Sequence, residues 1–216
     1  MITNDELRLK VRQIINEMYD DSAVTLLSDD TRSIDEHIAA LLPDAVLWIQ
    51  RNMGWGSLNP KDAADAGIKD NGDGTGEITL PEDFVKLISL RMKGWERPCL
   101  QMFPSESAVA AAQHNPYTRA GSCRPVCIES YNADGRVVLS YYSLPKESEP
   151  QIAELLYEAR YNPDEGLSGC DTALHKAVAY QCAAMLFNIF ERRDCANSLM
   201  AIAAAYCNNF QSNEKR

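Results

Sequence analysis

No apolar run in this sequence approaches the roughly 20 residues that a membrane-spanning helix requires. Cationic charge is also short: 21 Lys and Arg stand against 31 Asp and Glu, a formal net charge of −10. A protein that grips nucleic acid through its phosphates shows a basic excess or patch. Here Lys and Arg are scattered, while acids occur in pairs, Asp20-Asp21 and Asp29-Asp30. Histidine is scarce, and His37, His114 and His175 are isolated from one another. The first ten residues, MITNDELRLK, lack the basic-then-apolar pattern of an export signal, so no export is expected. No Gly-x-Ser-x-Gly elbow, phosphate loop, dinucleotide fingerprint or His-Glu-x-x-His occurs. The sequence therefore assigns no catalytic residue, no metal and no cofactor.

What is present is ordinary for a soluble globular chain: 216 residues, 45% hydrophobic and 24% charged. That length makes one large domain or two small ones. There are seven cysteines, an odd number, spread from Cys99 to Cys207. Cys123 and Cys127, read as members of one strand, stand ~13 Å apart, too far for a disulfide. No second close pair completes a zinc site. Reduced, mostly buried thiols are expected. The acidic stretch KDNGDGTGEIT invites comparison with a calcium loop. With Gly74 as the invariant glycine, Asp73 and Asn71 fall at positions 5 and 3, but Lys69 and Leu80 fall at 1 and 12, where neither can coordinate. Starting at Asp70 puts Gly72 and Gly74 where carboxylates belong. The stretch reads as a turn entering a strand in which Ile78 and Leu80 alternate with Glu77 and Thr79.

Periodicity divides the chain into three zones within a single domain, 1–216: helical over 1–52, β-rich over 76–161 and helical over 171–210. Thr3 and Glu6 have capping-box spacing ahead of Leu7, Val11, Ile14, Ile15 and Met18 on one helical face. Ser33 and Glu36 repeat the device before Ile34, Ile38, Leu41, Ala45, Trp48 and Ile49. Pro43 predicts a kink or break near Leu42. Residues 53–75 read as a Gly-rich loop. A turn at Pro81–Phe84 leads into extended chain, SESAVAAAQH forms a short helix before Pro116, and RPVCIES and GRVVLSYYS pair around Asn132–Gly135. IAELLYEARYN alternates as a strand. Asp171 caps TALHKAVAYQCAAMLFNIFERR, apolar on nearly every side and so covered all round. Ala196, Leu199, Met200, Ala203, Tyr206, Cys207 and Phe210 share a face of the last helix. The layout is α+β, a helical bundle from the N- and C-terminal helices with a β-rich middle segment.

For chemistry, SGCDTALH is the sharpest stretch. Cys170 stands at a helix N-terminus, where the dipole lowers a thiol pKa, and His175 lies within two turns, expected to point along the helix. Trp48 falls on a core stripe; Trp55, in MGWGS, is the more exposed candidate for a contact.

The succession ITLPEDFVKLISLRMKGWERP, AAQHNPYTRAGSCRPVCIES, GRVVLSYYS and ALHKAVAYQCAAMLFNIFERRDCANSLMAIA resembles the head–tail connector, or portal adaptor, proteins of tailed phages, with the ring proteins of crAss-like phages as a plausible branch. The likeness runs from IDEHIAALLPDAVLWI to about Tyr206. It implies a non-enzymatic virion protein at the head–tail junction, assembled in the host cytoplasm. Such proteins form a homo-oligomeric ring, a dodecamer, beneath the portal protein. They extend the DNA channel and meet the next ring or tail protein. Genomic DNA passes without specific binding, and no membrane is involved. On this likeness the polar C-terminal stretch docks on the portal through Tyr206, Phe210, Lys215 and Arg216. Asp20, Asp21, Asp29 and Asp30 are candidates for the channel wall, where repulsion keeps DNA from sticking. The alternatives are a small cytosolic enzyme using Cys170 and His175, or a phage-encoded monomeric binding or chaperone-like protein.

Overall fold

The computed structural model describes residues 2–18, 33–54, 56–142, 144–145, 149–169 and 171–212. Its helices are α1 (Asn4–Met18), α2 (Ile34–Asn52), α3 (Ala108–Gln113), α4 (Thr172–Ile189) and α5 (Arg193–Ser212). Its strands are β1 (Pro60–Asp62), β2 (Ile68–Asp70), β3 (Gly76–Thr79), β4 (Phe84–Met92), β5 (Met102–Pro104), β6 (Cys127–Tyr131), β7 (Val137–Tyr141) and β8 (Ile152–Ala159). The fold is α+β, with helices at both ends of the chain and strands between them. Two compact units result, one formed by Met1–Asn59 with Arg160–Arg216 and the other by Pro60–Ala159. No helix among the described residues is long and apolar enough to cross a membrane.

In the helical unit the starts follow local chemistry. Thr3 N–H donates to Glu6 Oε2 at 2.9 Å, and Glu6 N–H donates to Thr3 Oγ1 at 3.2 Å, closing the box that begins α1. Ser33 and Glu36 close the same box at α2. Asp171 caps α4, accepting from Ala173 N–H at 2.8 Å. Of the kink or break expected near Leu42, the break does not occur, and α2 runs unbroken through Pro43. Interior proline costs about 3 kcal/mol, whereas burying a large apolar side chain gains about 1.5–3 kcal/mol. Ile38, Leu42, Val46 and Ile49 are all buried on this helix, and that gain outweighs the proline.

Helix α4 is the axis of this unit. Its eighteen residues include one charged side chain, Lys176, and α1, α2 and α5 all pack on it. Leu174, Val178, Cys182, Leu186 and Phe187 are buried in the process. The chain's own helices supply the cover that this all-round apolar helix demands, so its sequence alone is no argument for a neighbouring subunit there. Alanines 177, 179, 183 and 184 on α4, with Ala196 and Ala203 on α5, permit close helix approach. Helix α5 continues to Ser212 and buries Cys207. The start of α4 is laced to the end of the first segment: Gly169 N–H donates to Leu58 O at 2.7 Å. A Cβ on Gly169 would lie 2.3 Å from Ser57 O, so the approach requires glycine.

The β-rich unit holds two sheets, β1-β8-β4 and β2-β3-β7-β6-β5, antiparallel throughout except for β5 beside β6. Ile78, Leu80, Leu90, Met92, Leu139, Tyr141 and Leu155 form its core. The presumed loop 53–75 contains β1 and β2, three residues each. Neither strand has a fully buried side chain, so neither carries the alternating pattern that marks a strand in sequence. Cys123 lies in a turn closed by Arg124 N–H on Gly121 O, ahead of β6 rather than within it. Pro125 cannot donate to a ladder, which delays the strand.

The acidic stretch is the β2–β3 hairpin turn, as its glycines implied. Asp70 accepts from Gly72 N–H at 3.0 Å and Asp73 from Thr75 N–H at 3.1 Å, so both carboxylates serve the turn. Gly72 and Gly74 take φ of 76° and 83°. The two differ in surroundings: nothing lies within 4 Å of a Cβ on Gly72, but one on Gly74 would lie 2.1 Å from Leu144 O. Gly72→Ala should therefore cost about 1 kcal/mol of unfolding free energy, the left-handed backbone penalty alone. Gly74→Ala should cost at least about 3 kcal/mol, because strain and backbone collision add. Urea unfolding of the two variants checks the difference.

Candidate docking groove on the helical unit

An open groove runs along the helical unit between α1 and α4. Its larger hollow, about 540 Å³, is lined by Glu6, Leu9, Lys10 and Gln13 of α1, by Thr172 and His175 of α4, and by Ile2 at one end. A second hollow of about 200 Å³ shares Lys10 and Gln13 and adds Ile14, Lys176, Ala179, Tyr180 and Tyr206. The two helices present these groups at helical spacing, Glu6, Lys10 and Gln13 on one and Thr172, Lys176 and Tyr180 on the other. Tyr206 closes the far end from α5, stacked on Tyr180 with centroids 5.8 Å apart and rings 18° from parallel.

The groove's electrostatics are uneven. Glu6 is its one acidic group among the described residues, and that carboxylate already accepts from Thr3 N–H and Thr3 Oγ1; these bonds hold its pKa below the usual value, with help from the Lys10 charge. Lys10 and Lys176 form no ion pair among the described residues. Leu9 stands 60% exposed at the rim. Such a surface can hold a carboxylate-bearing, partly apolar segment by two cations, an aromatic wall and an apolar floor.

His175 does not behave as its position in sequence suggested. Its ring reaches back across the helix start, with Nε2 2.9 Å from Gly169 O. A carbonyl only accepts, so Nε2 carries the proton and donates. Burial lowers the His175 pKa, while the Gly169 hydrogen bond opposes that shift in part. The ring is thereby committed to fastening the chain ahead of α4. Cys170 lies outside the described residues, as do Trp55, Asp20, Asp21, Asp29, Asp30, Lys215, Arg216 and the side chain of Phe210. Of the residues singled out by sequence, Tyr206 and His175 are therefore the two placed here. Lys10, Gln13, Lys176 and Tyr180 were missed, although a single charge in a mostly apolar helix of eighteen residues was a signal for Lys176.

A second chemical feature sits in the β-rich unit. Cys99 and Cys127 are buried thiols in hydrogen-bond contact. That bond from Cys127 brings the Cys99 pKa down to about 7, while burial pushes Cys127 up. Cys99 also donates to Gln101 O at 3.1 Å. With exposures of 4% and 0%, neither thiol reaches a substrate. No group of three or more His, Cys, Asp or Glu among the described residues is arranged to hold a metal ion.

The His175 bond predicts a pH dependence. The folded-state pKa lies below the ordinary value of 6.5, so the unfolded chain binds the proton first as pH falls. The stability contributed by neutral His175 is present above pH 6.5 and is lost as pH drops from there through the folded pKa. Urea midpoints measured between about pH 5 and 7.5 should fall toward acid in the wild type, and His175→Gln should flatten that slope.

Comparison with protein-family models and with curated proteins returned no match for this chain.

Proposed function

We propose that the protein is a structural, non-enzymatic subunit of a tailed-phage virion, a ring protein of the head–tail connector that joins the portal to the next ring or tail protein. The observation that carries the reading is the groove ending at Tyr206. It is a preformed surface on the helical unit, suited to another protein's segment, and it contains the residue that the family resemblance associates with the portal. The α+β order of elements, helices then strands then helices, agrees with the stretches on which the resemblance rests. A dodecamer at the head–tail junction, built in the host cytoplasm, is the assembly this reading entails.

The C-terminus provides the test. Cys207 is buried, so a cut that spares the fold falls after Asn208 rather than before Tyr206. Removal of residues 209–216 should abolish attachment to the portal, scored by electron microscopy of the co-expressed proteins, in a variant whose cooperative urea transition shows it folded. Attachment at the wild-type level rules the C-terminal end out as the anchor, and purified virions that contain none of the protein overturn the reading as a whole.

The channel-wall assignment has its own measurement. DNA carries about one negative charge per 1.7 Å of duplex, and the field of an acidic wall is screened within ~10 Å at moderate salt. Changing Asp20, Asp21, Asp29 and Asp30 together to Lys should preserve ring assembly and slow DNA ejection, most at low salt. Ejection kinetics that stay constant across salt concentrations place the four outside the channel.

A further inference from the structure

We propose that the groove between α1 and α4 receives a short acidic peptide segment of a partner protein. Carboxylates of that segment sit between Lys10 and Lys176, and an apolar side chain rests on Ile14 and Ala179 against the Tyr180–Tyr206 stack. This names the partner chemistry for the ring reading and rests on that reading for where the partner is found.

Charge complementarity selects the occupant. The chain carries −10 overall, yet Lys10 and Lys176, drawn from opposite ends of the sequence, meet at one groove with no ion pair among the described residues. The carboxylate on the same wall, Glu6, is held by its bonds of 2.9 and 3.1 Å to Thr3. A positive spot on an acidic protein is the place where an acidic partner can approach without repulsion.

Shape argues for peptide over nucleic acid. A phosphate backbone is held by many cations in a row, whereas two cations here border an apolar floor in which Ile14 is 9% and Ala179 1% exposed. The stacked tyrosines supply a flat wall with hydroxyls at its edge, the surface at which aromatic residues serve protein contacts. Thr172, Lys176 and Tyr180 succeed one another one turn apart, so the groove extends about 12 Å along α4. About four residues of extended chain cover that length.

The test uses the full-length protein and a fluorescein-labelled heptapeptide of alternating Glu and Leu, with the matching Lys/Leu peptide and a short DNA duplex as comparisons, read by fluorescence anisotropy. The Glu/Leu peptide should bind, less tightly as salt rises, and the Lys/Leu peptide and duplex should bind less well. The double variant Lys10→Glu/Lys176→Glu should lower affinity for the Glu/Leu peptide by about tenfold and reverse the preference toward the Lys/Leu peptide. Both lysines line the open groove, and matched urea midpoints confirm that the variant is folded. Absence of wild-type binding, equal binding by wild type and variant, or tighter binding of the duplex overturns the proposal. So does sedimentation of the wild type as a dimer that the double variant dissociates, which assigns the groove to a second copy. These outcomes remove the groove as the docking surface of the ring reading, whereas the reading as a whole fails on the separate ground of virions lacking the protein.

Discussion

Everything in the helical unit depends on the need to cover α4. A helix with Lys176 as its one charged side chain has no face to offer water, and most of its length must be removed from solvent. Covering it takes three helices: α1 and α2 from the beginning of the chain and α5 from the end. That requirement brings sequence ends together and leaves residues 60–159 as an excursion that leaves and returns at one place. The return point is fixed by backbone and side chain. Asn59 Nδ2 donates to Arg160 O at 3.3 Å, Ser168 Oγ donates to Asn59 Oδ1 at 3.0 Å, and Gly169 admits the close approach of Ser57 and Leu58. His175, by donating to Gly169 O, ties the first turns of α4 to this junction.

The groove follows from the same packing. Helices α1 and α5 cover α4 from different sides and leave a strip between them where Thr172, Lys176 and Tyr180 emerge. Along that strip the floor stays apolar because it belongs to the core, as Ile14 and Ala179 do. The rim is polar because it belongs to the surfaces of α1 and α4. Tyr180 and Tyr206 stack across the strip, which makes them both part of the cover and part of the lining. A floor held by the core is fixed before any ligand arrives, and preorganisation of this kind lowers the cost of binding.

What could be read from sequence was what depends on neighbours a few residues away. The boxes at Thr3–Glu6 and Ser33–Glu36, the Asp171 cap, the β2–β3 turn glycines and the β6–β7 hairpin are all local, and each is found where its residues place it. What escaped depends on distant partners. Strand β1 exists because Pro60–Asp62 pairs with Leu156–Glu158, almost a hundred residues on, and its own sequence has nothing to announce it. At Pro43 the converse holds: the local penalty was legible, while the burial that carries the helix through without a break was not. In the groove, Tyr206 stood out as an aromatic on a helical face, but its pairing with Tyr180, and that of Lys10 with Lys176, arises only in three dimensions.

The rest of the molecule shows why two unmatched lysines carry meaning. Where the chain draws a cation toward its interior it supplies an acid. Lys86 on β4 stands opposite Glu158 on β8, which is fully buried; burial lowers the Lys86 pKa, and the Glu158 charge pulls it back. Lys61 meets Asp83 at 3.1 Å, and Arg119, lying over Tyr142, meets Asp73 at 3.8 Å. Arg12 joins α1 to α2 through two bonds of 2.6 Å to Asp35. With 31 acids to 21 Lys and Arg, carboxylates are in surplus, so chance placement favours a lysine that has one nearby. Lys10 and Lys176 share a groove that contains one carboxylate among the described residues, and the capping bonds to Thr3 hold it at the start of α1. Single exposed ion pairs contribute at most about 1 kcal/mol to stability, so the fold loses little where these two form no salt bridge among the described residues. A partner that brings its own carboxylates then finds cations already in position, with no salt bridge of theirs to break among the described residues.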